Sequence, residues 1–180
     1  IISGDVKPGK NVLVFDDAGD HVGLQAAEVI AKSGAKVEIM TPDRSFAPEV
    51  MAMNLVPYMR SLQQLDTTFT VTYRLESLEK TETGLSAQVG SDYGGVSQQR
   101  LVDQVVINHG ILPIEELYFD LKAASSNHGE ISHEQLIAGE KQTVIRNPEG
   151  KYQLFRIGDA VSGRNTHAAI YDALRLVKDI

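Results

Sequence analysis

Residues 12–15 form an unbroken apolar run, after which Val22, Ala26, Val29 and Ile30 recur at i, i+4, i+7 and i+8. The run predicts a parallel strand covered on both faces. The helical spacing predicts an amphipathic helix over residues 22–33, with Lys32 in its last turn and Gly34 just past its end. A second strand is expected over residues 36–40, halted at Thr41, Pro42 and Asp43. Strand, helix and strand at this separation make a right-handed βαβ unit. Pro48 suits a helix start, and Pro57 must interrupt or restart a helix, so the second helix is expected over residues 57–65.

From Thr68 the period falls to two. Phe69, Val71 and Tyr73 alternate with threonines, Leu75 and Leu78 continue, and Glu82, Thr83 and Gly84 turn the chain into residues 85–89. Gly94 and Gly95 mark another loop, followed by strands expected over residues 96–100 and 102–108. This is an antiparallel meander inserted between two parallel strands. Gly110 then opens a glycine turn that closes the sheet, with a short helix expected over residues 117–124. The first domain is assigned to residues 1–115 and a second segment to residues 116–180.

That second segment has a different texture. Ser132 with Gln135 fits a capping box whose short helix Gly139 closes. Residues 143–146 and 152–157 flank Asn147, Pro148, Glu149 and Gly150, a turn signal that predicts a β-hairpin. The loop at Gly158, Asp159 and Ala160 leads to a helix expected over residues 165–178, with Ile170, Ala173, Leu174 and Val177 as its buried stripe.

Composition narrows the function. With 24 acidic against 17 basic residues and a net charge of −7, the chain lacks the positive field that nucleic acid demands. It has neither an apolar run of membrane-spanning length nor a signal-peptide pattern, which leaves a cytoplasmic setting and no membrane partner as the expectation. Cys is absent, so the chain can offer no thiolate nucleophile and no cysteine-ligated cluster. The five histidines show no metal-ligand spacing, and no nucleophile–base pair is recognisable. No catalytic residue and no metal site are therefore expected here. Chain start is Ile1 rather than Met, and Lys7 to Lys10 have linker character, so a fragment of a longer protein is expected.

The chemistry is concentrated in the first strand–helix turn. A dinucleotide-binding turn needs glycines where backbone N–H groups approach a pyrophosphate at the helix N-terminus. Gly19 and Gly23 meet that need, but Asp16 and Asp17 stand where the turn should open, and carboxylates repel a diphosphate. The ribose-binding acid expected at the end of the second strand is replaced by Thr41, while Arg44 is a candidate partner for a 2′-phosphate. Paired aspartates after an apolar strand also fit the magnesium site of a phospho-receiver. That reading requires an aspartate closing the third strand, where Thr72, Tyr73 and Arg74 stand instead.

The βαβ unit, the meander and the Gly-Asp tail together resemble the C-terminal part of flavoproteins with two dinucleotide-binding domains. More narrowly, residues 16–23, 147–150, 158–160 and 165–173 resemble the trimethylamine dehydrogenase, dimethylamine dehydrogenase and dienoyl-CoA reductase group of NADH:flavin oxidoreductases. The resemblance implies a Rossmann-like, three-layer α/β domain of NAD(P)-binding type, trailed by the C-terminal segment of an FAD-like domain. It implies NAD(P)H or ADP/FAD as ligands of this segment, at Gly19, Gly23, Thr41, Arg44, Gly110, Gly158 and Asp159. FMN and an iron–sulfur cluster would belong to an N-terminal barrel outside this chain. Partners implied are the rest of the parent flavoprotein and an electron-transfer protein. The other possibility is a degenerate Rossmann-like scaffold or docking domain that has lost NAD(P)H.

Overall fold

A computed structural model describes residues 1–177 and divides the chain into two compact units, Ile1–Gly110 and Ile111–Ile180. Unit 1 contains β1 (Asn11–Asp16), α1 (His21–Lys32), β2 (Lys36–Thr41), α2 (Ala52–Gln64), β3 (Thr68–Val71), β4 (Tyr73–Lys80), β5 (Leu85–Ser91), β6 (Ser97–Val102) and β7 (Gln104–Asn108). One parallel sheet has the order β3-β2-β1-β7, and a separate antiparallel sheet has the order β4-β5-β6. Alternation along β1 explains the unbroken apolar run. Val12 and Val14 pack with Leu24, Ala27, Ile30 and Leu62 of the helices, while Leu13 and Phe15 pack with Ala87, Val89 and Val102 of the antiparallel sheet. Helices, parallel sheet and antiparallel sheet form three layers, as the family resemblance implies.

Two crossings carry the chain between the sheets. At Thr72 the backbone turns through a positive φ of 63°, with its N–H donated to the Asp43 carbonyl, and β3 gives way to β4. At Asp103 the chain returns. Its carboxylate accepts the Lys10 and Asn11 N–H groups at 3.1 and 2.8 Å, and its own N–H reaches the Asn11 carbonyl, so the break between the two expected strands falls at Asp103 rather than at Leu101. Between the layers, Glu38 accepts hydrogen bonds from Thr70 and Arg100, fixing the meander to β2 and β3.

Several expectations are corrected. α1 begins at His21, capped by Asp20, and buries Gly23, Leu24, Ala26, Ala27, Ile30 and Ala31, whereas Val22 and Val29 face solvent. α2 starts at Ala52 and carries Pro57 in its interior. The proline ring displaces only the bond to the Met53 carbonyl, on a residue so exposed that water can replace it. Pro48 sits in a turn rather than a helix, closed by Val50 N–H donating to the Ala47 carbonyl.

Unit 2 holds α3 (Glu116–Lys122), α4 (His133–Ala138), a 3₁₀ turn (Gly158–Ala160) and α5 (Thr166–Val177). Only half of the capping box forms: Ser132 Oγ accepts from Gln135 N–H, but Ser132 N–H donates to Gln142 Oε1 while the Gln135 side chain bonds Thr143, and Gly139 ends α4 with φ 70°. The hairpin is not formed. Ser126 lies between its two arms, accepting from the Arg146 and Asn147 N–H groups and donating to the Tyr152 carbonyl, so the arms bond to Ser126 instead of each other. Asn127, buried beside it, donates to the Glu130 and Leu154 carbonyls and accepts from Leu154 N–H. The stripe of α5 is not buried either: Ile170 and Leu174 are 61% and 57% exposed. Lys178, the expected helix end, lies outside the described residues.

Among the described residues no hydrophobic side chain of unit 2 is buried, whereas Ser125, Asn127 and Gln142 are. This unit is organised by polar contacts. Replacing Asn127 by Ala orphans three backbone groups at once, and the expected loss is about 3 kcal/mol. Urea unfolding and amide exchange at Leu154 measure it.

Candidate functional site

The carboxyl ends of the parallel strands bring together most of the sequence-predicted residues of unit 1. Asp16 closes β1 and is 2% exposed. Its neighbour across the β1–β7 ladder is Asn108. Gly19 N–H and Asn108 Nδ2 donate to Asp16 Oδ1 at 3.1 and 2.9 Å, and the same Asn108 amide reaches Asp20 Oδ1 at 2.9 Å. Asp20 also accepts Val22 N–H at 2.8 Å. The Gly19 N–H of the turn and the Val22 N–H of the first helical turn are thus engaged by the chain's own carboxyl groups. Burial raises the Asp16 pKa from its ordinary value, and the nearby Asp20 charge adds to the rise, while the Gly19 and Asn108 donors oppose it.

Gly23 stands directly against this carboxyl group. A Cβ at Gly23 would fall 2.4 Å from Asp16 Cγ and Oδ2. Gly19, at φ 67°, meets the loop after β2: a Cβ there would lie 2.7 Å from Pro48 Cδ, and Gly19 carbonyl accepts Glu49 N–H. That loop is anchored from beneath by buried Ala47 and Val50 and by Phe46, which packs edge-on against Phe69. Thr41 is buried and its hydroxyl caps Asp43 N–H at 3.2 Å. Arg44 is exposed and donates to the Tyr93 hydroxyl, which raises its pKa. Gly110, at φ 85°, has open space around its Cα.

The mouth of the site is acidic. Asp17 pairs with His109 Nδ1 at 2.7 Å, and Asp92 is bridged by Arg74 at 3.0 Å. Arg74 is held protonated chiefly by Asp92, with Asp17 and Asp43 contributing. A pyrophosphate needs open N–H groups and a glycine cradle, and here the cradle contains Asp16. The residues present do not fit a dinucleotide diphosphate.

In unit 2, Gly158 is buried at φ 57° and its N–H donates to Asp172 Oδ2 at 3.1 Å. Asp172 also pairs with Arg164, whose backbone N–H reaches Asp159 Oδ1 at 3.4 Å. Burial would raise the Asp172 pKa, but Arg164 and the Gly158 N–H outweigh it and hold it low. Asp172 and Asn108 escaped the sequence reading as site residues. Only their register could have exposed them, because Asn108 acts through strand pairing and Asp172 through the turn of α5 facing Gly158. Among the described residues no three His, Asp or Glu side chains converge as metal ligands, and no helix is long and apolar enough to cross a membrane.

A parallel sheet flanked by helices and an antiparallel meander defines a Rossmann-like α/β domain. The fold agrees with 6-hydroxypseudooxynicotine amine oxidase from Pseudomonas geniculata, at TM-score 0.69 and 21% identity over 99% of this chain and 23% of that one. The probable N-methylproline demethylase of Rhizobium meliloti is 75% identical over 180 residues, 100% of this chain and 26% of that protein. The N,N-dimethylglycine/sarcosine dehydrogenase of Chromohalobacter salexigens is 40% identical over 183 residues, 99% of this chain and 26% of that protein. No family model matches the chain. Over its whole length it matches a C-terminal region of members of the NADH:flavin oxidoreductase/trimethylamine dehydrogenase family. The chain spans about a quarter of the length of these curated relatives.

A raised aspartate pKa carries a definite pH signature. The stabilising difference is fully present below the unfolded-state value and is lost as pH rises through the folded one. Wild type is therefore expected to lose stability relative to Asp16→Asn as pH climbs from the acid range toward neutrality. Unfolding midpoints of both proteins across that range test it, and a pH-independent difference would contradict it.

Proposed function

We propose that this chain is the C-terminal nucleotide-domain portion of an FMN- and iron–sulfur-dependent flavoprotein acting on N-methylated amines, in which unit 1 serves as scaffold or docking domain. The substrate class follows the names of the demethylase and dehydrogenase relatives. The chain has no cysteine, so the cluster ligands belong to the part of the parent beyond it. One observation carries the scaffold reading: the β2 loop packs onto the first turn, with Pro48 against Gly19 and Glu49 N–H bonded to the Gly19 carbonyl. That loop leaves the end of β2, the strand end at which a dinucleotide-binding domain meets the adenosine ribose. Electrons then leave through an external acceptor, an electron-transfer protein docking on the parent.

The rival reading keeps NAD(P)H at Gly19, Gly23, Thr41, Arg44 and Gly110, and it is favoured by the retained βαβ frame and by the exposure of Arg44. It requires the Pro48 loop to move and Asp16 to yield its donors. Titration calorimetry of the intact protein with NADH, NADPH and ADP separates the two. No heat is expected with any of them; sub-millimolar NADH or NADPH binding, abolished by Gly23→Leu, would sink the scaffold reading.

For unit 2 we propose the C-terminal segment of an FAD- or ADP-binding domain, with Gly158 and Asp159 at the ligand. The lack of buried apolar side chains among its described residues supports this, since residues such as Leu112, Ile114 and Leu117 are left at 92%, 86% and 72% exposure for the remainder of the parent to cover. A hollow of about 250 Å³ lined by Leu117, Tyr118, Leu121, Leu154 and Ile157 lies on the same unit. Asp159→Ala is expected to lower the flavin or ADP bound by the full-length flavoprotein. Unchanged nucleotide content of the purified variant would refute the assignment.

A further inference from the structure

Gly23 is the residue of the first turn that most resembles a cofactor signature, yet its nearest neighbour is Asp16. We propose that Asp16 is the domain's built-in occupant of the pyrophosphate position, and that Gly23 remains glycine to seat this side chain rather than a cofactor. The inference rests on the scaffold reading above and assigns its cause to one residue.

Three observations converge. Asp16 Oδ1 takes the Gly19 N–H, a turn donor of the kind a diphosphate oxygen uses, and Asn108 Nδ2 supplies a second donor to the same oxygen. Asp20 consumes the Val22 N–H, so one backbone donor of the turn and one of the first turn of α1 have internal acceptors. The third observation is steric. Asp16 Cγ, Cβ and Oδ2 lie 2.4, 2.9 and 2.4 Å from the Cβ position of Gly23, so the carboxyl group fills the cradle that the missing side chain creates. Any larger residue at Gly23 has to expel Asp16 from its buried seat. Because acceptors repel acceptors, a diphosphate brought to the same donors meets the Asp16 and Asp20 carboxyl groups in place of N–H groups.

The decisive test is a double-mutant cycle on the intact protein. Gly23→Ala is expected to lower the unfolding midpoint of wild type by about 6 °C, and of Asp16→Gly by less than about 2 °C, because the clash disappears with the carboxyl group. Should Gly23→Ala fail to fold in wild type, recovery of folding in the Asp16→Gly background supports the proposal. Equal losses in both backgrounds, or failure of both to fold, overturn it. In parallel, Asp16→Gly/Asp20→Ser is expected to bind ADP at least about tenfold more tightly than wild type, and an unchanged affinity overturns the exclusion role. NADH binding by wild type removes the scaffold reading itself, whereas an additive cycle without NADH binding leaves that reading standing and removes only the role of Asp16.

Discussion

Burial of β1 on both faces is the constraint from which the rest of unit 1 follows. Val12 and Val14 belong to the helix-side core, Leu13 and Phe15 to the meander-side core, and neither set can be satisfied unless both outer layers are present. The same alternation sets the chemistry. Asp16 continues the parity of Val12 and Val14, so its side chain emerges on the α1 face and meets the start of that helix. A charge-bearing group carried into that position by strand geometry has to find donors, and the nearest are Gly19 N–H and the Asn108 amide.

The electrostatic balance at the sheet's end differs from that of an anion-binding turn. Such a turn concentrates unpaired N–H groups and adds the positive end of a helix. Here the Gly19 and Val22 N–H groups are each matched internally by an aspartate, and Asp17 and Asp43 add negative charge at the rim, where Arg74 is bound up with Asp92. The result preserves a nucleotide domain's frame while changing the sign of its working surface. Family likeness and local chemistry point in different directions because a fold is maintained by its core and a site by a handful of side chains.

Much of this was legible in the sequence. The unbroken run at residues 12–15 and the two-residue period after Thr68 are signals of burial and backbone geometry, and they located the βαβ unit, the meander and the two aspartates that compromise the first turn, while the resemblance carried by the Gly-Asp tail implied the three layers. What escaped depended on register and on competition for hydrogen bonds. Nothing local to Asn108 reveals that it faces Asp16 across the ladder, and the turn at Asn147 to Gly150 is real although Ser126 takes the bonds that would have made a hairpin. Pro57 misplaced the second helix because a proline in an exposed early turn costs one replaceable bond. In unit 2 the helical period of α5 was read as a buried stripe, but periodicity records that a face is apolar without recording what covers it.

The place of β7 in the parallel sheet bears on how the protein is made. β1 pairs early with β2, close behind it in sequence, but its other edge is completed by β7, and the Asp16–Asn108 bond joins residues 92 apart. As the chain leaves the ribosome, β1 remains an apolar, unpaired edge until residues 104–108 have emerged. Closure of that edge cannot precede synthesis of residues 103–108, the segment that brings Asn108 to Asp16 and Asp103 to Lys10 and Asn11.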